Sequence, residues 1–423
     1  ALEIDPQLAD AHYYRGVAQA KLGKYTDAVT TFDRVISQKP AYAPGFFQKG
    51  LAQYSLGIYQ GSLESFDHAL ELDPGLADAA LKKAIALHDL GRYEESLAAC
   101  DKALELKSDF TGAFYQKGKT LADLEQYPAA VSAFDRALEL DKNNTQAYFE
   151  KGLVLAHLGR YLEAVAAFDR LLDIQPSYAP AFFHKGRALA SVEMYDEAVM
   201  AYNIALEITP DDAEVLYEKG IALAHRDNHE EAIAAFESAA RIDPLKAKIH
   251  YQRGLSLAAL GHHKDAVQAF TKALEIDPRF TDSLYHNGLS LAELGEFNDA
   301  ITALSRTIEV SPNIANAHLI RGFCLFEVGR YDEAVLAYTV SLEIDEKNPH
   351  AWFYKGRAHI SLDDYDTAVS AFDKALSLDP EFGEAFYYKG IALEKSKKFQ
   401  EAAQAFEQAT RFVPDFTDAY LQK

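Results

Sequence analysis

Fourteen histidines, two cysteines and 64 carboxylates are the side chains of this sequence that could hold a metal or move a proton. The densest histidine group is His225, His229, His262 and His263. His225 and His229 have the four-residue spacing that places two ligands on one helix face, but a turn falls between them. With no cysteine nearby, they offer at most an adventitious contact, and no metal ligand is assigned. Cys100 and Cys324 lack metal-ligand or redox spacing and read as buried free thiols. The carboxylates recur at fixed intervals, whereas a catalytic pair would be a singular departure. No phosphate-cradling glycine loop and no serine nucleophile elbow occurs. Asn143-Asn144-Thr145 is a glycosylation sequon of little weight without a sign of secretion. No catalytic residue and no cofactor is assigned, and the chain reads as a non-enzyme.

The remaining chemistry is recognition. A formal charge of −22 repels nucleic-acid backbones and anionic membranes, so neither is expected as partner. No apolar run is long enough to span a bilayer. Without a signal-peptide pattern, a cytoplasmic location is the expectation. Basic side chains still gather in places. Lys82, Lys119 and Arg187, with His184, lie along one region, and Arg357 is a later counterpart.

What positions these side chains is a period. Glycine occurs at 16, 50, 118, 152, 186, 220, 254, 288, 322, 356 and 390, and Ala84 fills the one gap, so the step is 34 residues. With this glycine as position 8, twelve repeats run over 9–416 without insertion or deletion: 9–42, 43–76, 77–110, 111–144, 145–178, 179–212, 213–246, 247–280, 281–314, 315–348, 349–382 and 383–416. The hydrophobic pattern predicts helix A over positions 2 to 14, a turn, then helix B over positions 18 to 31. Proline at position 32 ends helix B in nine repeats. A helix pair this short cannot bury a face alone, so neighbouring pairs must stack into one continuous core.

These offsets resemble the tetratricopeptide repeat family. In the fifth repeat Gly152, Leu155, Tyr161, Ala164, Phe168 and Pro176 stand where that family carries its signature, while Leu171 departs from its small residue. Position 20 is Ala except at Ser62 and Ser96, and position 24 is Phe or Tyr except at Cys100 and Leu304. The sequence style is similar to repeats common in archaea and bacteria. The resemblance implies an all-α, right-handed superhelical solenoid of antiparallel helix pairs. It also implies a concave groove lined by helix A, a role in binding protein or peptide, and no catalysis.

On the helical wheel, positions 4, 8 and 11 form one stripe expected to pack on helix B, as Phe114, Gly118 and Leu121 do in the fourth repeat. Positions 2, 5, 9 and 12 are expected to face the groove. Position 5 holds Tyr13, Phe47, Tyr115, Phe149, Phe183, Tyr217, Tyr251, Tyr285, Phe353 and Tyr387, with Leu81 and Leu319 in the other two repeats. This aromatic row is a candidate set of anchors for a peptide; the alternative is that each ring half-packs against its neighbours. Position 9 is usually aliphatic, and Lys119, Arg187 and Arg357 interrupt it. A carboxylate or acidic segment could bind near Tyr115, Phe149 and Phe183. The alternative is that the cations are solvated or paired with Glu150 and Asp123. The lysine-asparagine clamp of chaperone-tail binders and the asparagine ladder of sugar-transferring relatives are both missing.

Position 7 is Lys or Arg in eleven repeats and Asn287 in the other. A cation there must reach the rim or find an acid, and helix B of the preceding repeat offers them: Asp135 and Glu139 for Lys151, Asp169 and Asp173 for Lys185. A structural ladder between repeats is expected. The turn stretches "AHRDNHEEA" (224–232) and "EKSKKFQEA" (394–402) depart from the usual Leu-Gly-x-Tyr, through drift or as a hinge or docking point. Residues 1–8 read as the tail of a preceding helix B and 417–423 as the start of a further helix A, as in a piece of a longer array. End-to-end self-association is then possible. The leading expectation is a scaffold that grips a peptide; the alternatives are a self-associating spacer or the substrate-recruiting arm of a larger protein.

Overall fold

A computed structural model describes residues 8–412. The partial helices expected at 1–8 (apart from Leu8) and 417–423 lie outside these. Among the described residues there are twenty-four α-helices and no strand. They run from the pair Ala9–Lys21 and Tyr25–Gln38 to the pair Gly383–Lys395 and Phe399–Phe412. Each helix A begins 34 residues after the one before. Most occupy positions 1 to 13, and helix B occupies 17 to 30, one residue earlier than the wheel suggested. The reason is the turn: position 15 closes helix A in the left-handed region, and the aromatic at 17 is already the first residue of helix B.

Seven repeats place glycine at position 15, which has no Cβ to resist positive φ. Glu125, Glu193, Asp227, Asp363 and Lys397 adopt the same conformation, with φ between 56° and 64°. The irregular stretches therefore keep the ordinary turn. Asn228 N–H donates to the Leu223 carbonyl at 3.0 Å and Lys398 N–H to the Leu393 carbonyl at 2.9 Å, as Arg160 does to Leu155 at 2.9 Å. Their backbone gives a hinge no support. In two of the three repeats that lack proline after helix B, a side chain caps the next helix: Asn144 and Asn348 accept from the N–H groups of Ala147 and Ala351.

The chain divides into two compact halves, Ala1–Pro210 and Asp211–Lys423. Within each half, helix A packs on its own helix B and on helix B of the preceding repeat. Consecutive helices A also touch, whereas consecutive helices B stand apart. In each half the helix A layer is thus the tighter, inner face.

The joint within a pair is the position 8 glycine against the position 24 ring. Phe134 and Phe168 are fully buried, and a Cβ on Gly118 or Gly152 would lie 2.6 or 2.5 Å from their ring carbons. The expected 4-8-11 stripe is only part of the buried face. Phe114 at position 4 stays half-buried beside Arg136 of its own helix B, 5.7 Å from ring to guanidinium. The small residues at positions 3 and 10, such as Ala113 with Thr120 and Ala147 with Val154, are buried deeper. They face the preceding helix B: Thr120 Oγ1 lies 3.1 Å from Ser96 Oγ. A wheel drawn for one partner misses a helix packed between two.

Candidate functional site

The position 7 cations find their acceptor at position 25 of the preceding helix B. Lys49–Asp33, Lys83–Asp67, Lys117–Asp101, Lys151–Asp135, Lys185–Asp169, Arg253–Glu237 and Lys389–Asp373 close at 2.5 to 2.9 Å. The expected second acids at position 29 take no part in these bridges. Where position 25 is Ser305, the Arg321 Nε is buried without a partner, as is the Nε of Arg253, whose bridge to Glu237 runs through Nη2. Where it is Thr339, Lys355 rests over the Trp352 ring at 5.4 Å, and burial depresses its pKa. This row is a joint between repeats, and it occupies the side of helix A turned toward helix B.

The position 5 rings occupy a second row. Tyr13, Phe47, Tyr115, Phe149 and Phe183 in the first half, and Tyr217, Tyr251 and Tyr285 in the second, are half-buried. Phe353 and Tyr387 are buried. All except Tyr285, whose repeat has Leu304, rest on the position 24 ring of their own helix B, at 5.9 to 6.3 Å between centroids. Some gain a further ring from the end of the repeat: Phe149–Tyr178 at 5.5 Å, and Tyr251–Phe280 and Phe353–Phe382 at 4.9 Å. The wheel placed these side chains toward the groove, with half-packing against neighbours as the alternative; in the structure each is rooted in the core. Burial pushes the Tyr115 and Tyr251 hydroxyls up to about 12.

A third relationship escaped the sequence reading. The position 24 ring also stacks on position 6 of the next repeat, as Phe168–His184, Phe270–His286 and Tyr338–Tyr354 do at 6.1 Å. The signal for it in the sequence is the aromatic character of His184, His286 and Tyr354 at position 6. His184 also meets Phe149 at 5.5 Å and Phe183 at 5.1 Å. Burial, then the charge of Arg187, lowers its pKa to about 4, so it is neutral at pH 7.

The cations of this face divide. Lys82 is half-buried on the helix Ala77–Asp89. Lys119 acts on Glu150, where burial raises the carboxyl pKa and Lys119 opposes it. Arg357 lies between the Phe326 and Tyr388 rings, 5.0 Å from each, with Phe353 at 5.9 Å. Arg187 is exposed and rests over Phe183 at 5.7 Å. Two cavities open along the helix A layer of the first half. One, of about 330 Å³, is lined by Tyr115, Phe149, Glu150 and Tyr178. The other, of about 230 Å³, is lined by His157, Tyr161, His184, Arg187 and Ser191.

Several histidines hold structure. His250 and His318 at position 4 donate from Nε2 to the carbonyls of Pro244 and Pro312, at 3.1 and 2.9 Å. Trp352 donates in the same way to Glu346 at 3.1 Å. Among the described residues, no group of three or more His, Cys, Asp or Glu side chains is arranged to hold a metal. No described helix is long and apolar enough to cross a membrane. Cys100 and Cys324 are free and buried, and burial pushes their thiol pKa values up.

A tetratricopeptide repeat family model matches residues 47–109, 115–179, 183–247, 285–349 and 351–415. Two further models of the same description match 247–280 and 10–41. No curated protein matches the chain. Among solved structures, YrrB, described as a TPR protein with an unusual peptide-binding site, is 28% identical over 48% of this chain and 99% of its own, with a TM-score of 0.41. MamA from Desulfovibrio magneticus RS-1 is 23% identical over 40% of this chain and 96% of its own, with a TM-score of 0.39. The C-terminal part of a TPR repeat-containing protein from Cytophaga hutchinsonii is 17% identical over 57% of this chain and 98% of its own, with a TM-score of 0.49.

Proposed function

The chain belongs to the tetratricopeptide repeat family, and from that premise we propose that it is a scaffold holding a peptide or extended partner segment along its helix A layer. The observation that carries this reading is the rooted aromatic row. Tyr115, Phe149 and Phe183 are each half-buried against a core ring, and Tyr115 and Phe149 line a cavity. Binding to such a side chain freezes few rotamers, so more of the contact energy appears as affinity. The cavities beside these rings give a peptide side chain places to enter. No catalytic role is assigned; the recurrent position 25 acids serve the joints between repeats.

The test compares the two faces of the first half. Truncating the rooted rings would loosen the core, so charge reversal at Lys119 and Arg187 replaces it on the inner face. Arg136→Glu with Arg170→Glu is the matched change on helix B. Proteins or peptides captured by the unaltered chain are expected to be lost from the inner-face variant and kept by the helix B variant. Capture that survives inner-face reversal undiminished counts against the groove. Self-association persisting in sedimentation with no captured partner would favour a spacer.

A further inference from the structure

We infer that the cavity between the fifth and sixth repeats is a receptor for one carboxylate, the side chain of a glutamate or aspartate in the bound segment, with Arg187 as its ligand. This rests on the peptide-binding reading above and specifies the chemistry of its partner.

The electrostatics of the cavity set it apart from its neighbours. The formal charge is −22, so acids outnumber bases over the sequence as a whole. Three other cavities include carboxylates: Glu150 in one, Glu95 in another, and Asp135, Glu139 and Asp173 in a third. The one at Arg187 is lined by no carboxylate. The sequence explains why. Position 13 of helix A is Asp89, Asp123, Glu293 or Glu327 in several repeats, but His157 and Ser191 here. The guanidinium makes no ion pair among the described residues, whereas the neighbouring Lys151 and Lys185 are held by Asp135 and Asp169. It rests over the Phe183 ring at 5.7 Å, which covers one face and leaves the N–H edge free.

That edge matches a carboxylate, because the planar fork donates two parallel hydrogen bonds to its two oxygens. Charge count separates carboxylate from phosphate. Arg187 is the one permanently charged side chain in the lining, and His184 is neutral at pH 7, so the site suits a monoanion better than a dianion. His157, stacked on Tyr127 at 5.6 Å, and Tyr161 bring polar groups to the wall.

The probe is N-acetylglutamate methylamide, which has one side-chain carboxylate and uncharged ends. N-acetylglutamine methylamide is its neutral isostere, and inorganic phosphate is a second anion. Each is titrated into the whole chain at pH 7 while the ring-proton NMR signals of His157 and His184 are followed. The glutamate probe is expected to shift both signals saturably, and the glutamine probe to leave them unmoved. Arg187→Gln, an exposed change that leaves the core intact, weakens the response at least tenfold. Arg187→Lys keeps part of it, since the charge remains while the fork is lost. No saturable shift, an equal response in Arg187→Gln, or tighter binding of phosphate overturns the assignment. Because the probe needs no partner, its failure alongside peptide capture on the inner face removes only this pocket. Probe binding without any peptide capture removes only the scaffold reading.

Discussion

Ala84 and Cys100 are the two halves of one exception. In the third repeat they occupy positions 8 and 24, where most other repeats set a glycine against a buried aromatic ring. Both are fully buried in the same core cluster. In the neighbouring repeats a Cβ at position 8 would lie 2.6 Å from Phe66 or Phe134. The methyl of Ala84 is accommodated because Cys100 withdraws the ring. Cys100→Phe alone is therefore expected to destabilise by about 1–3 kcal/mol through overpacking. Ala84→Gly should recover much of that loss in the double variant, as a positive coupling in a double-mutant cycle read from urea midpoints. Equal cost of Cys100→Phe with and without Ala84→Gly would count against the close joint.

The sequence contained both halves of this pair, yet read singly they are just two deviations. The same holds for the fold as a whole. Period, helix order and a ladder of position 7 cations are legible because each is a fixed offset repeated many times; that the ladder closes on position 25 and not on 29 was not legible. Thr120, buried against Ser96, was not legible, because a helical wheel describes one interface and helix A makes several. Nor was the double duty of Phe168, which supports Phe149 in its own repeat and His184 in the next. Arg187 was legible as a cation on the inner face. That it lacks an acid depends on three-dimensional neighbours, chiefly His157 and Ser191.

Glu125 and Glu193 hold positive φ at a turn where seven other repeats use glycine. An L-residue there is disfavoured by roughly 1–2 kcal/mol, partly offset by the chain entropy glycine adds to the unfolded state. Glu125→Gly and Glu193→Gly are each expected to stabilise the chain by about 0.5–1 kcal/mol. Thermal unfolding of each variant against the unaltered chain reads the sign directly. A fall in Tm would mean that these side chains make contacts outweighing the backbone strain.

Arg321 is one of the position 7 cations whose ladder partner has been replaced, here by Ser305. Its Nε is buried without a hydrogen bond. Ser305→Asp recreates the geometry of the Lys117–Asp101 bridge, which closes at 2.6 Å across half-exposed side chains. The gain is limited by solvent screening to about 1 kcal/mol or less. It should shrink as salt is raised, and Asp373→Ser beside Lys389 should show the opposite change. Stabilisation by Ser305→Asp that is indifferent to salt would indicate an effect other than pairing.

His184 gives the first half a dependence on pH whose sign follows from its surroundings. The imidazole sits among Phe149, Phe168 and Phe183, with Arg187 as the charged neighbour. Burial first and Arg187 second lower its pKa from 6.5 to about 4 in the folded chain. Between those values the unfolded chain takes up a proton that the folded one refuses, so stability rises with pH across this window and falls on acidification. Well above pH 6.5 neither state is protonated and the effect vanishes. Carboxylates titrate at the acidic end, so pH 7 against pH 5 is the informative comparison. His184→Phe keeps the stacked ring and removes the titration. The drop in urea midpoint between pH 7 and pH 5 should accordingly be smaller in His184→Phe than in the unaltered chain. An unchanged drop would mean that the ring is hydrated enough to accept its proton in the folded state.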